Sequence, residues 1–247
     1  MEFQCLWPDP PLQTDLADQD LHVWCAVLDQ PDYIVTRLAQ LLSIDEQARA
    51  SRFVFEKDRR HFTVGRGILR QILARYLPVA PAYLRFNYSP YGKPALDESF
   101  QLSFNLSHSH GLAVYAVTRR RKVGIDLERV RPLEDMTGLA RRFFSPAEFE
   151  ALSSLSALDE PVGFFSAWTR KEAYVKAVGS GLSHPLHEFD VSLTPDRPAE
   201  LLYVKNDPGA SKRWSLASLQ PALGYIGALC LEAHDCQTTF WRFSLAE

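Results

Sequence analysis

The stretch Phe164-Phe165-Ser166-Ala167-Trp168-Thr169-Arg170-Lys171-Glu172-Ala173-Tyr174-Val175-Lys176 decides how the chain is read. Its spacing predicts a helix. Trp168, Glu172 and Lys176 follow at i, i+4 and i+8 and form one stripe. Phe164, Phe165, Ala167 and Val175 supply apolar surface for a sheet behind it. Gly179 and Gly181 then end the helix, as glycine does after a C-terminus. Taken alone, Glu172 and Lys176 read as an ordinary exposed ion pair, which is worth little. A second acidic motif upstream changes that reading.

That motif is Val123-Gly124-Ile125-Asp126-Leu127-Glu128-Arg129-Val130. As a strand it projects Asp126 and Glu128 from one face and Ile125 and Leu127 from the other. Two carboxylates side by side repel, and without a partner they cost stability. A hard divalent cation removes the repulsion, and magnesium takes one or two carboxylates plus phosphate oxygens. With Glu172 the set is Asp126, Glu128 and Glu172, enough for one magnesium site. The plain alternative is an exposed strand face beside arginines.

Outward from these motifs, Leu21 to Leu28 reads as a first strand. Ser43-Ile44-Asp45-Glu46 is a capping box before a helix through Phe53. A longer helix is expected from Lys57 to Leu77, stopped by Pro78. Arg59, Arg66 and Arg70 fall on one stripe of it, either a solvated face or part of an anion pocket. Leu84 to Tyr88 alternates like a strand. Tyr91-Gly92-Lys93-Pro94 then forms a tight loop, and Phe104-Asn105-Leu106-Ser107-His108 leads into a hairpin whose second strand is Leu112 to Val117. Ser107 and His108 suit a phosphate, or belong to a hydroxyl-rich turn. A nucleophilic Ser-His pair has no Gly-x-Ser-x-Gly elbow to support it. In the second half Ser145-Pro146-Ala147-Glu148 is another capping box. The tail reads as strands at Phe189 to Leu193, Glu200 to Val204, Trp214 to Leu219 and Tyr225 to Leu231, with a turn at Pro195 to Pro198. Residues 1–122 and 123–247 each combine helices with mostly antiparallel strands, without a residue-by-residue repeat.

Composition sets outer bounds. The 247 residues are 46% hydrophobic and 23% charged, as in an ordinary globular protein. A net charge of -3 argues against general nucleic-acid binding. Cys5, Cys25, Cys230 and Cys236 lack zinc-type spacing and read as free thiols of a reducing compartment. The acidic, proline-rich residues 1–20 look like an arm without a signal sequence, and no apolar run reaches membrane length. The expectation is a cytoplasmic protein.

Four stretches in this order carry a resemblance. They are Tyr91-Gly92-Lys93-Pro94, Phe104 to Ser109, Gly124 to Glu128, and Trp168 to Lys176 with Gly179 and Gly181. Together they resemble the Sfp-type 4′-phosphopantetheinyl transferases, from about Arg49 to Leu193. The resemblance implies an α+β fold of two pseudo-symmetric halves with the active site between them. It implies transfer of 4′-phosphopantetheine from coenzyme A to a serine of an apo acyl or peptidyl carrier protein, releasing 3′,5′-ADP. Carrier proteins of fatty-acid, polyketide and nonribosomal peptide synthesis are the implied partners, and one chain holding both halves implies a monomer.

By the same resemblance, Asp126, Glu128 and Glu172 hold magnesium on the pyrophosphate. Arg49, Lys93 and His108 contact the 3′-phosphate region. Tyr91, Gly92, Lys93, Pro94 and Ser107 border the adenosine, and Lys176 faces the pyrophosphate. The first half departs from some members between Arg49 and Phe62, so other basic residues there and His61 are open candidates. Glu172 is also the nearest base for the serine proton, directly or through a metal-bound water; a metal ligand is a poorer base, so the two roles compete and base, ligand or both stay open. Carrier docking is expected near Val130 to Phe144, where Leu133, Met136, Phe143 and Phe144 sit among Arg129, Arg131, Arg141 and Arg142. Two other readings are a coenzyme A-binding regulator and a metal-dependent pyrophosphohydrolase.

Overall fold

Alternation along the first strand sets the layers. In β1 (Asp20–Val27), Trp24 and Ala26 enter one core, and Leu21, Val23 and Cys25 enter another. In β5 (Leu112–Arg119), Ala113, Tyr115 and Val117 join the first core, while Leu112, Val114 and Ala116 join the second. A sheet that is apolar on both faces must be covered twice. The computed structural model describes residues 5–11, 14–181, 184–195 and 197–245 and shows the two covers.

The first sheet has the order β11-β1-β5-β4, with β4 at Leu102–Ser109 and β11 at Gln237–Arg242. One face carries α3 (Glu56–Ala74), through Val64, Ile68, Leu69, Ile72 and Leu73. The other face packs on a second, antiparallel sheet of β6 (Val123–Arg129), β10 (Tyr225–Leu231) and β9 (Ser215–Leu219). The outer face of that sheet carries α6 (Glu160–Val178). Val123, Ile125 and Leu127 are spent on the inter-sheet core. Gly124, Asp126 and Glu128 are thereby left on the face toward α6. At Gly124 a Cβ would lie 2.0 Å from Ala173 O and 2.4 Å from Ala177 N, so helix and strand meet backbone to backbone.

Smaller elements complete the α+β fold. They are α1 (Asp32–Ala39), α2 (Ile44–Ala50), the pair β2 (Asn87–Tyr88) and β3 (Pro94–Ala95), α4 (Met136–Phe143), α5 (Pro146–Ser153), β7 (Phe189–Val191), β8 (Leu201–Val204) and α7 (Ala210–Arg213). Both capping boxes form as expected, at Ser43/Glu46 and Ser145/Glu148. The cysteines are free thiols. Among the described residues no helix is long and apolar enough to cross a membrane.

Several expectations need correction. The tail continues past Leu231 into β11, which pairs in parallel with β1, Asp20 opposite Gln237, so the chain's end joins the sheet its first residues build. The long helix ends at Ala74, not Leu77. The strand expected over Leu84 to Tyr88 shrinks to Asn87–Tyr88, because Arg70 takes the carbonyls of Pro81 and Leu84 at 2.8 and 2.9 Å. The strand expected over Phe189 to Leu193 stops at Val191, where Arg170 takes the Ser192 carbonyl at 2.5 Å. Arg66 and Arg70 are not a solvated face. Both are buried around Glu46, whose carboxylate lies 2.7 Å from Arg70 and 3.4 Å from Arg66. Arg59 alone of the three is exposed, paired with Glu56. The arm over residues 1–20 and the turn at Pro195 to Pro198 lie partly outside the described residues.

Candidate active site

A cleft of about 390 Å³ opens between α3, the 89–94 loop, β4 and α6. Arg49, Tyr91, Gly92, Lys93, Pro94, Ser107, His108, Glu172 and Lys176 all line it. Glu172 and Lys176 on α6 therefore face the hairpin end of β4 across one space, while Trp168, earlier on the same stripe, packs on Phe143 and Phe164. Asp126 lies just behind that lining, and Glu128 follows two residues on along the same face of β6. Ser107 Oγ donates to Asp126 Oδ1 at 2.8 Å, and Ser109 Oγ donates to Glu128 Oε2 at 3.0 Å. The serines of β4 thus hold the carboxylates of β6 in place.

Lys176 Nζ meets Asp126 Oδ1 at 2.7 Å, Ser107 Oγ at 3.1 Å and the Ile125 carbonyl at 3.3 Å. Glu128 also pairs with Arg131 at 3.3 Å. Burial pushes the Glu172 carboxyl above its ordinary range, the Asp126 and Glu128 charges add to this, and Lys176 opposes it. His108 lines the cleft, and desolvation there, with the Lys176 charge next, holds its imidazole below the usual value. Lys93 is pulled down to about 8, by burial first and then by Lys176.

The donor chemistry fits a hard divalent cation. Asp126 Oδ2 is buried without a hydrogen-bond partner, and Glu172 is a desolvated carboxyl facing two other acids. The side chains are not drawn together as a ready-made cage: among the described residues no three His, Cys, Asp or Glu groups form one. Asp126 Oδ1 and Glu128 Oε2 are turned instead to Lys176 and Arg131.

The structure adds residues that sequence reasoning left open or missed. His61, Phe62 and Arg66 also line the cleft, and His61 is held by Asp29 at 2.7 Å. Arg49 and Arg66 lie over the Phe62 ring at 5.3 and 5.7 Å. Arg66 is 6% exposed, and its Nη1 has no hydrogen-bond partner. A buried guanidinium with a free donor beside a cleft is an anion site in waiting. Only the i, i+4 spacing of Arg66 and Arg70 hinted at it, since Glu46, which holds both, lies on another helix.

In the expected docking region Phe144 is core, 3% exposed, with its ring tilted against that of Phe164 at 5.3 Å. Phe143 is half-buried, edge-on to Trp168 at 5.6 Å, with Arg142 over its ring at 5.1 Å.

Comparison with known proteins places the chain in a family. Residues 122–230 match the 4′-phosphopantetheinyl transferase superfamily model, and residues 30–120 match the 4′-phosphopantetheinyl transferase, N-terminal model. The chain is 45% identical over 245 residues to the 4′-phosphopantetheinyl transferase HetI of Nostoc sp., covering 98% of this chain and 100% of that one. It is 30% identical over 160 residues to the 4′-phosphopantetheinyl transferase Sfp of Bacillus subtilis, covering 65% of this chain and 70% of that one. A crystal structure of Thermotoga maritima holo-[acyl-carrier-protein] synthase superposes on 45% of this chain and 62% of that one, with 22% identity and a TM-score of 0.36. With two family models side by side along the chain and HetI matched over nearly its full length, this protein belongs to the 4′-phosphopantetheinyl transferase family.

Proposed function

We propose that this transferase moves 4′-phosphopantetheine from coenzyme A to a serine hydroxyl of an apo carrier protein in a magnesium-dependent reaction that releases 3′,5′-ADP. The observation that carries the reading is Asp126. One of its oxygens is bound to Lys176 and Ser107, and the other is buried with no hydrogen-bond partner. Asp126, Glu128 and Glu172 would hold the cation. Magnesium would supply Lewis-acid neutralisation of the pyrophosphate. The chain's own residues do the rest. Arg49, Arg66 and His108 offer donors for the nucleotide phosphate, and Tyr91 to Pro94 wall the adenosine. Lys176 would present an ammonium to the pyrophosphate bridge, where charge gathers as 3′,5′-ADP leaves. Glu172, desolvated and raised in pKa, would serve as the base for the serine proton.

The carrier would dock beside α4. There Leu133, Met136 and Phe143 are half-buried apolar side chains, while Arg129, Arg131, Arg141 and Arg142 are exposed. An apolar patch with a cationic rim suits a helix with an acidic face.

The test incubates the enzyme with coenzyme A, magnesium and an apo carrier protein. The expected result is a carrier heavier by one phosphopantetheinyl group, with one 3′,5′-ADP released for each. Nucleotide release without carrier marks hydrolysis, and binding without either product marks a regulator. Both would overturn the reading.

A further inference from the structure

We infer that Lys93 is a positioning residue that fastens the nucleotide loop to the catalytic helix and strand, and is not a ligand of the nucleotide phosphate. The inference rests on the transferase reading above and redefines one residue within it. The loop is a rigid turn. Ser89 N donates to Lys93 O at 2.9 Å, Gly92 N donates to Ser89 O at 2.8 Å, and Gly92 sits at φ 79°, where glycine is favoured. Ser89 Oγ accepts from the backbone of Tyr91 and Lys93 at 3.3 and 3.1 Å. From this turn the Lys93 ammonium reaches the Lys176 carbonyl at 2.5 Å and the Val123 carbonyl at 3.3 Å.

Those two carbonyls explain the geometry. Lys176 O lies in the last turn of α6, where carbonyls lack intrahelical partners and a cation complements the helix dipole. Val123 opens β6. One ammonium therefore joins the loop, the helix bearing Glu172 and Lys176, and the strand bearing Asp126 and Glu128. A second contact closes the same joint. Gly181 sits at φ 63°, and a Cβ there would lie 2.6 Å from Tyr91 Cγ, so the chain after α6 passes flat against the loop's aromatic ring. Two of the three ammonium donors are committed to backbone, and the group is drawn toward its neutral form by burial and by Lys176. A phosphate would have to pull it out of this joint.

The experiment compares the parent with Lys93→Met, which keeps the stem, and with Lys93→Gln, which keeps a neutral donor. Calorimetry in magnesium buffer gives Kd for coenzyme A and for dephospho-coenzyme A, which lacks the 3′-phosphate. This readout does not depend on transfer, so failure of the transferase reading would show separately in the carrier assay. The expected result is weaker binding of both nucleotides by Lys93→Met, by about tenfold as for one charge-assisted hydrogen bond. The ratio of the two Kd values should stay that of the parent. Selective loss for coenzyme A, with dephospho-coenzyme A unchanged, would overturn the inference. Unchanged binding of both would overturn it equally. If Lys93→Met does not fold, the same ratio measured on Lys93→Gln decides by the same criterion.

Discussion

Lys176 Nζ stands 2.7 Å from Asp126 Oδ1, so an ammonium from the last turn of α6 closes onto a carboxylate at the centre of β6. The pair lies at the edge of the cleft, with the Lys176 side chain 28% exposed and that of Asp126 7% exposed. Lys176→Met removes a cation that touches both Ser107 and Asp126. If its ammonium faces the charge that develops on the pyrophosphate, kcat should fall by about 10²–10³-fold, as for loss of one preorganised electrostatic contact. Steady-state kinetics with saturating carrier reads this directly. A kcat close to the parent's would remove Lys176 from the machinery.

Glu172→Gln separates chemistry from stability. The neutral amide keeps the shape and removes a carboxylate that burial and two neighbouring acids already disfavour. The unfolding midpoint should hold or rise. Transfer should drop by about 10²–10⁴-fold, the usual worth of a positioned general base. Activity near that of the parent would sink both roles assigned to Glu172, while a collapse of the midpoint would show that the carboxylate is structural.

Lys171, next in sequence to Glu172, has an opposite fate. It is buried at 0% exposure, pairs with Glu148 at 2.8 Å and donates to the carbonyls of Leu186 and Phe189 at 2.7 and 2.5 Å. Lys171→Met would strand the Glu148 carboxylate in the core. The expected cost is about 3–5 kcal/mol by urea unfolding, as for breaking a buried pair from one side. Lys171→Met combined with Glu148→Gln should recover part of it. Equal losses in the single and double variants would show that the two groups are not coupled.

The contrast between Lys171 and Glu172 shows what the sequence made legible. Local signals carried far. The i, i+4, i+8 stripe of Trp168, Glu172 and Lys176, the alternation around Asp126, and both capping boxes each follow from a few adjacent residues. Of these, Glu172 and Lys176 line the cleft, and Asp126 meets Lys176 at its edge. Signals between distant residues did not carry. Glu46 and Glu148 read as capping residues, and their second task, holding Arg66 with Arg70 or Lys171 in the core, appears only when the helices pack. The pairing of β11 with β1 joins residues more than 200 positions apart, a contact that short-range patterns do not encode. The phosphate role expected for Lys93 comes from the family resemblance and not from any local pattern. The Lys93 amine turns to backbone because α6 leaves a carbonyl there to be satisfied.

Gly124→Ala tests whether the site depends on the close approach of helix and strand. The added Cβ would meet Ala173 O at 2.0 Å and Ala177 N at 2.4 Å, and both are backbone atoms that no rotamer change can move. The helix must shift as a body, which costs about 1–3 kcal/mol or more. The shift also carries Glu172 and Lys176 away from Asp126. Stability and kcat should therefore fall together, with unfolding and kinetics measured on one preparation. Full activity in a destabilised Gly124→Ala protein would show that the spacing between α6 and β6 is not critical to transfer.

His22 gives the fold an acid limit independent of the cleft. It is 6% exposed in β1, with Nδ1 at 2.9 Å from the Tyr76 hydroxyl, which also accepts from Trp24 Nε1 at 2.8 Å. Burial holds its imidazole below the ordinary value of 6.5, and Asp20 offsets this only in part. The unfolded chain then binds the proton more readily than the folded one. Stability from this residue is complete above pH 6.5 and is lost as pH falls toward the depressed folded value. The melting temperature should decline on acidification from that point. His22→Gln, which cannot take up the proton, should show a shallower decline over the same window. A residual slope is expected because His184 is also depressed by burial. Identical slopes for the parent and His22→Gln would show that burial of His22 does not couple folding to pH.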